Sequence, residues 1–283
     1  MTHHWKLVDT PAQMAKAETA IRAAGMIALD TEYDSFRYFR DRLCLIQIQT
    51  GEATWLIDPL ANLDFAFLGE TLNDPCIRKI FHAGDNDIRI LKRDYGFSFQ
   101  NIFDTHRAAS LLGIRQLALG KLLETYLGVA LEKNLQRSRW DLRPLSEEQL
   151  DYAALDTAHL PALAGRLEEE LNAKGLEADA ERLFTGMAAV VWQPRTLDRV
   201  AHRRLPGFAA LTAKQRERAR YLFRWRFEKA QEIDRAAFMI LSDQQLVALA
   251  KMDHPSRDAL AALLPAERVQ RFGGELLAIL QKG

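Results

Sequence analysis

The sequence predicts an α/β fold, a mixed sheet flanked by helices, followed by a small all-helical domain. Three observations point there. Short β-rich runs alternate with helical patterns through the first half. Strand signals stop beyond about Val191. The charge changes sign at the same place: 21 Lys+Arg against 28 Asp+Glu up to Val191, then 17 against 10 from Trp192 to Gly283, although the 283-residue chain is neutral overall. We therefore expect one domain over 1–191, a linker over 192–204 and a helical domain over 205–283, consistent with roughly 150 residues per domain.

Met26-Ile27-Ala28-Leu29-Asp30 reads as the first clear strand. Leu43-Cys44-Leu45-Ile46-Gln47-Ile48, Thr54-Trp55-Leu56-Ile57 and Lys79-Ile80-Phe81 follow, with Gly51-Glu52 as a tight turn between the first two of these. Ile88, Leu91 and Tyr95 have helical spacing, and Gly96 is a natural C-terminal stop. A further helix is expected over about Gln116–Leu127, before Gly128. Ser146-Glu147-Glu148-Gln149 fits a capping box, and Pro161 should interrupt the helix that follows. After the break at Trp192–Thr196 and the Pro206-Gly207 punctuation, four or five helices remain. Thr212 is placed to cap one over Ala213–Asp234, and Ser242-Asp243-Gln244-Gln245 repeats the capping box.

Composition narrows the function classes. Cys44 and Cys76 are too few for a disulfide framework and read as reduced thiols in apolar surroundings. No run reaches the ~18 apolar residues of a membrane span, and the first residues lack an apolar signal core. A cytoplasmic protein is the expectation, without a membrane and without an obligate protein partner. There is no Gly-x-Ser-x-Gly elbow for an acyl hydrolase and no Cys/His set with zinc spacing.

What stands out is a series of carboxylates. Asp30 and Glu32 lie two apart on a strand, so their side chains share a face. Two like charges at the end of an apolar strand are costly unless a cation neutralises them, or unless the strand simply ends at the surface there. Asp87 opens a helix, where the dipole alone would favour it, and Asp85 is an alternative for the same place. Tyr152 and Asp156, four apart on the capped helix, stack on one side. A cluster of hard oxygen ligands suits Mg²⁺ or Mn²⁺, and two such ions roughly 3.5–4 Å apart are a common device for phosphodiester cleavage.

Read together, these segments resemble the ribonuclease D family of four-carboxylate exonucleases. Leu29-Asp30-Thr31-Glu32 with Arg42-Leu43-Cys44-Leu45-Ile46-Gln47 looks like its first motif. Phe81-His82-Ala83-Gly84-Asp85-Asn86-Asp87-Ile88 with Phe103-Asp104-Thr105 looks like the second, and Tyr152-Ala153-Ala154-Leu155-Asp156 like the third, in its tyrosine subgroup. Leu135-Gln136-Arg137-Ser138-Arg139-Trp140 with Arg143-Pro144-Leu145-Ser146 is also similar. The resemblance implies an RNase H-like fold and removal of nucleotides from a 3′ end. Asp30, Glu32 and Asp156 would hold one divalent cation and Asp87 a second, both Mg²⁺ or Mn²⁺, while Tyr152 would orient the attacking water. Thr31, His82, Arg137, Arg139 and Arg143 are the expected substrate contacts, and Trp140 is expected in the core. The implied partner is RNA with a 3′ end, a tRNA precursor among the possibilities. DNA as the substrate and a non-catalytic nucleic-acid-binding protein are the rival readings. The sequence departs from the family at His106, where glutamine is common, and has room for one helical domain after the catalytic one instead of two.

That helical domain resembles the module shared by RecQ-type helicases and ribonuclease D, at Leu222-Phe223-Arg224-Trp225-Arg226. Lys214, Arg218, Arg224 and Arg226 are its expected auxiliary nucleic-acid contacts, on a helix that keeps an apolar stripe at Ala219, Leu222, Phe223 and Phe227. The other reading of the same residues is a structural domain with a basic surface.

Overall fold

The computed structural model describes residues 4–51, 53–131, 135 and 138–282. The chain forms two compact units: Met1–Asp34 with Arg42–Gln193, and Ser35–Asp41 with Pro194–Gly283. The main division thus falls at Gln193. No local pattern in the sequence marks 35–41, which interrupts the first unit, as folding with the second.

The first unit begins with β1 (Trp5–Val8), α1 (Pro11–Arg22), β2 (Met26–Asp34), β3 (Arg42–Gln49) and β4 (Thr54–Ile57). It continues through α2 (Phe67–Asn73), β5 (Arg78–Phe81), α3 (Asp85–Tyr95), β6 (Ile102–Asp104), α4 (Thr105–Leu111) and α5 (Leu119–Leu127). Helices α6 (Glu147–Ala158), α7 (Leu160–Ala173) and α8 (Glu177–Ala188) close it. The six strands are ordered β1-β4-β3-β2-β5-β6, with β2 antiparallel to β3 and parallel to β5. This is the mixed sheet flanked by helices that the sequence predicts.

Two features of β2 position the site. Its pairing with β5 covers only Met26, Ile27 and Ala28, so Asp30 and Glu32 lie beyond the end of that ladder. Its alternation sends Ile27 and Leu29 into the main apolar core with α1 and α3, and Asp30 and Glu32 to the opposite face. Helix α6 lies across β1, β4, β3 and β2. There Ala153 and Ala154 pack with Leu45, Leu56 and Trp140 in a separate apolar cluster.

Local signals explain the helix ends. Ser146 accepts from the Gln149 N–H while Gln149 reaches back to the Ser146 N–H, which is the expected capping box. Helix α6 ends at Ala158, and Pro161 sits in the first turn of α7. Gly96 and Gly128 end α3 and α5 with φ of 69° and 66°. Helix α5 starts three residues later than expected. Cys44 is buried, but Cys76 is exposed, against expectation.

The second unit contains α9 (Ala213–Glu232), α10 (Ala237–Ile240), α11 (Asp243–Ala250), α12 (Arg257–Ala261) and α13 (Ala266–Lys282). Thr212 and Ser242 both form capping boxes. The expected linker is partly ordered as a 3-10 turn over Ala201–Arg204. The core joins Leu222, Trp225, Leu246, Leu276 and Leu280 with Phe39 from the 35–41 segment. No helix among the described residues is long and apolar enough to cross a membrane.

Candidate active site

Asp30 and Glu32 leave β2 side by side. Asp87 comes from the first turn of α3 and is 6% exposed. Asp156 comes from the last turn of α6. Asp87 and Asp156 both raise the proton affinity of Asp30 and Glu32, so the four lie within electrostatic reach around that pair. Burial, then the charges of Asp87, Asp156 and Glu32, hold Asp30 well above the usual carboxylate range. Burial, then Asp156 and Asp87, push Glu32 up to about 9. Burial also raises Asp87, against the opposing effect of its hydrogen bond from Thr31.

Among the described residues, no three His, Cys, Asp or Glu side chains are gathered closely enough to hold a metal ion. Asp87 on α3 and Asp156 on α6 are each engaged locally. The Thr31 hydroxyl donates to Asp87 Oδ1, and Tyr152 is hydrogen-bonded to Asp156. The donor set fits hard divalent cations in chemistry, since four carboxylates in one poorly solvated region gain most from an external positive charge.

The turn that delivers Asp87 is tightly built. Gly84 precedes α3, and a Cβ there would lie 2.6–2.7 Å from the Phe81 side chain. Ala83 takes the left-handed conformation at φ 57°. Asp104 caps α4 through the Arg107 N–H (2.8 Å) and also accepts from the Gly84 N–H (3.0 Å), tying the two helix starts together. Asp85 is committed elsewhere, accepting two bonds from Arg107 at 2.9 and 3.0 Å. Of the two candidates, Asp87 is therefore the one that joins the cluster.

Tyr152 is half-buried on α6. Burial, then Asp156, Glu32 and Asp30, push its pKa above the ordinary tyrosine value. Its hydroxyl keeps its proton at neutral pH.

The expected substrate contacts divide. Thr31 is 5% exposed and serves Asp87. His82 Nδ1 lies 2.9 Å from the Thr105 hydroxyl, which donates to the Phe81 carbonyl at 3.1 Å, so the imidazole donates through Nδ1. Arg139 is exposed and forks onto Asp141 at 2.7 and 3.0 Å. Arg137 lies outside the described residues. Arg143 is corrected to a structural role. Nε and Nη2 hold Asp58 at 2.5 and 2.7 Å, and the other donors go to the carbonyls of Cys44, Trp140 and Leu142. All five of its N–H groups are used, leaving none for a phosphate. Trp140 is in the core, 2% exposed.

In the second unit, Lys214 and Arg224 are exposed. Arg218 and Arg226 are corrected to structural residues, 6% and 7% exposed. Arg218 donates to the Met252 carbonyl, and Arg226 to the Leu241 carbonyl and Asp243. Their positions could have revealed this, because 218, 222 and 226 form an i, i+4, i+8 row with buried Leu222 at its centre. Arg199, Arg220 and Tyr221 line a cavity of about 890 Å³ with Arg224, and of these Arg199 and Tyr221 were not singled out in the sequence.

Comparison with known proteins supplies the class. Residues 5–172 match the 3′-5′ exonuclease family and residues 215–280 match the HRDC domain. Ribonuclease D of Escherichia coli (strain K12) is 32% identical over 285 residues, covering 99% of this chain and 75% of that protein. The chain belongs to the ribonuclease D family of 3′-5′ exonucleases. The crystal structure of Escherichia coli RNase D, an exoribonuclease involved in structured RNA processing, superposes with a TM-score of 0.72 at 31% identity, covering 99% of this chain and 75% of that one. Brucella melitensis NrnC with bound Mg²⁺ matches at a TM-score of 0.58 and 27% identity, over 75% of this chain and 98% of that one. Exosome complex component 10 of Rattus norvegicus is 40% identical over 167 residues, which is 59% of this chain but 18% of that much longer protein.

Proposed function

We propose that the protein is a divalent-cation-dependent 3′→5′ exoribonuclease that releases nucleoside 5′-monophosphates from RNA 3′ ends. The observation that carries this reading is the convergence of Asp87 from α3 and Asp156 from α6 on Asp30 and Glu32 of β2, whose proton affinity both raise. Relatives named as ribonucleases support RNA as the substrate, and the Mg²⁺-bound relative supports a divalent cation. Structured precursors such as tRNA are the finer proposal. Asp30, Glu32 and Asp156 would hold one cation and Asp87 the second, each Mg²⁺ or Mn²⁺. Bound there, such ions supply a Lewis acid for the attacking water and a counter-charge for the leaving 3′ oxygen. Tyr152, protonated at neutral pH, orients that water and does not serve as its base. His82 and Arg139 are proposed substrate contacts, and the exposed Lys214 and Arg224 auxiliary ones.

A time course on matched 5′-labelled RNA and DNA, with Mn²⁺ or with EDTA, tests the proposal. RNA should shorten from its 3′ end with monophosphate release only when the cation is present. Asp30→Asn and Asp156→Asn should abolish digestion while keeping the wild-type circular dichroism spectrum. Activity surviving both substitutions would sink the site. Faster loss of DNA would move the substrate from RNA to DNA.

A further inference from the structure

Gln47 lies on β3, directly opposite Asp30 in the antiparallel register. Cross-strand partners point to the same face with Cβ atoms roughly 4.5–5.5 Å apart, so the amide is within side-chain reach of the Asp30 carboxylate. Gln47 is 0% exposed, and neither Nε2 nor Oε1 has a hydrogen-bond partner. No other described side chain leaves both a buried donor and a buried acceptor unpaired. Two residues along the strand, Gln49 shows the ordinary solution. Its Nε2 donates to the Thr50 carbonyl and its Oε1 accepts from the Thr54 hydroxyl. Burying an amide with both ends unmet destabilises a fold, and an apolar side chain of similar volume would remove the penalty. The neighbours on that face, Leu45 and Leu56, are apolar and offer the amide nothing.

We propose that Gln47 is a positioning residue for Asp30: in the cation-loaded protein its Nε2 donates to the Asp30 carboxylate, directly or through one buried water, and fixes how that carboxylate faces the ion. The proposal rests on the reading of the carboxylates as a cation site. An ionised, ion-facing carboxylate would be the strong acceptor that this buried amide lacks. Oxygen ligands to metals are commonly held by such outer hydrogen bonds, whose loss costs roughly 10- to 100-fold in affinity or activity.

The test compares wild type with Gln47→Leu and Gln47→Met. Three readings are needed: thermal unfolding in EDTA, calorimetric Mn²⁺ titration, and single-turnover digestion of labelled RNA. Both variants should melt at or above the wild-type temperature without cation, bind Mn²⁺ about tenfold more weakly, and turn over at least about tenfold more slowly. Wild-type Mn²⁺ affinity and rate in either folded variant would overturn the proposal. Failure of both variants to fold would overturn it too, because the amide would then already be satisfied in the metal-free protein. A wild type that binds no Mn²⁺ would overturn the cation site itself along with this inference, whereas a wild type that binds normally beside unchanged variants overturns this inference alone.

Discussion

Glu32 is ionised at neutral pH in an unfolded chain but holds its proton up to about 9 in the metal-free fold, chiefly because of burial. Between its ordinary value near ~4.5 and the folded value, the native state binds the extra proton. Raising the pH through that window therefore costs stability, by up to about 1.4 kcal/mol per pH unit for this group alone. Asp30 is shifted in the same direction and adds to the trend, while Asp87, raised only to about 6, contributes at its lower end. In EDTA the thermal midpoint should fall steadily between pH 6 and 9, and Glu32→Gln should flatten the decline. A wild-type midpoint that stays level or rises over that range would contradict the electrostatics of the site. At this scale the sequence was half legible. Acidic residues at motif spacings could be found without a structure, and all four proposed ligands came from that pattern. Arg143 could not be sorted the same way, because it differs from an exposed cation only in the carbonyls and the carboxylate that meet it after folding, whereas Arg218 and Arg226 share a helical row with Leu222 that was there to be read.

Among the elements, α3 depends most on a single glycine. Gly84 allows the chain to pass against the buried Phe81 ring, and its N–H is fixed by Asp104. Gly84→Ala would drive a methyl group into a side chain that has nowhere to go, at a cost of about 1–3 kcal/mol for overpacking. Relief by shifting the start of α3 would carry Asp87 away from Thr31. We expect a lower denaturant midpoint and, at temperatures where the variant is folded, a further loss of nuclease rate. Wild-type rate and stability would show that the turn yields freely. Helices with side-chain caps at Ser146, Thr212 and Ser242 were legible because the cap and its partner three residues on are written locally. Strand β6 has three residues and α4 seven, too short for periodicity to register. Their identity comes from pairing with β5 and from Asp104, both supplied by distant parts of the chain.

At the scale of the whole molecule, the chain passes from one unit to the other at three places, because 35–41 leaves β2, folds with the second unit and returns to β3. No local pattern announces this. Ser35–Asp41 lies between two strands in the chain, and its partners lie roughly 150 to 200 residues on. The Ala236 N–H donates to the Arg37 carbonyl at 2.9 Å, and the Arg40 N–H to Asp234 at 3.0 Å. Arg195 pairs with Asp41 at 3.2 Å. Phe39, 5% exposed, meets Phe227 edge-on with ring centroids 5.1 Å apart. The second unit is thus completed by the segment that follows β2 in the chain. Removing the Phe39 ring should cost about 3–5 kcal/mol, the usual range for phenylalanine to alanine in a core. Because Phe39 belongs to the core of the second unit, that loss should be local. Hydrogen exchange in Phe39→Ala should quicken across 35–41, α9 and α10, while β1, β4 and α1 keep wild-type protection. A chain ending at Gln193 would retain the same segment without any of these partners, and a protease should cut it within 35–41 far sooner than it cuts the full chain. Equal resistance of the two, or uniform loss of protection throughout the sheet in Phe39→Ala, would mean that the segment owes its fold to the first unit after all.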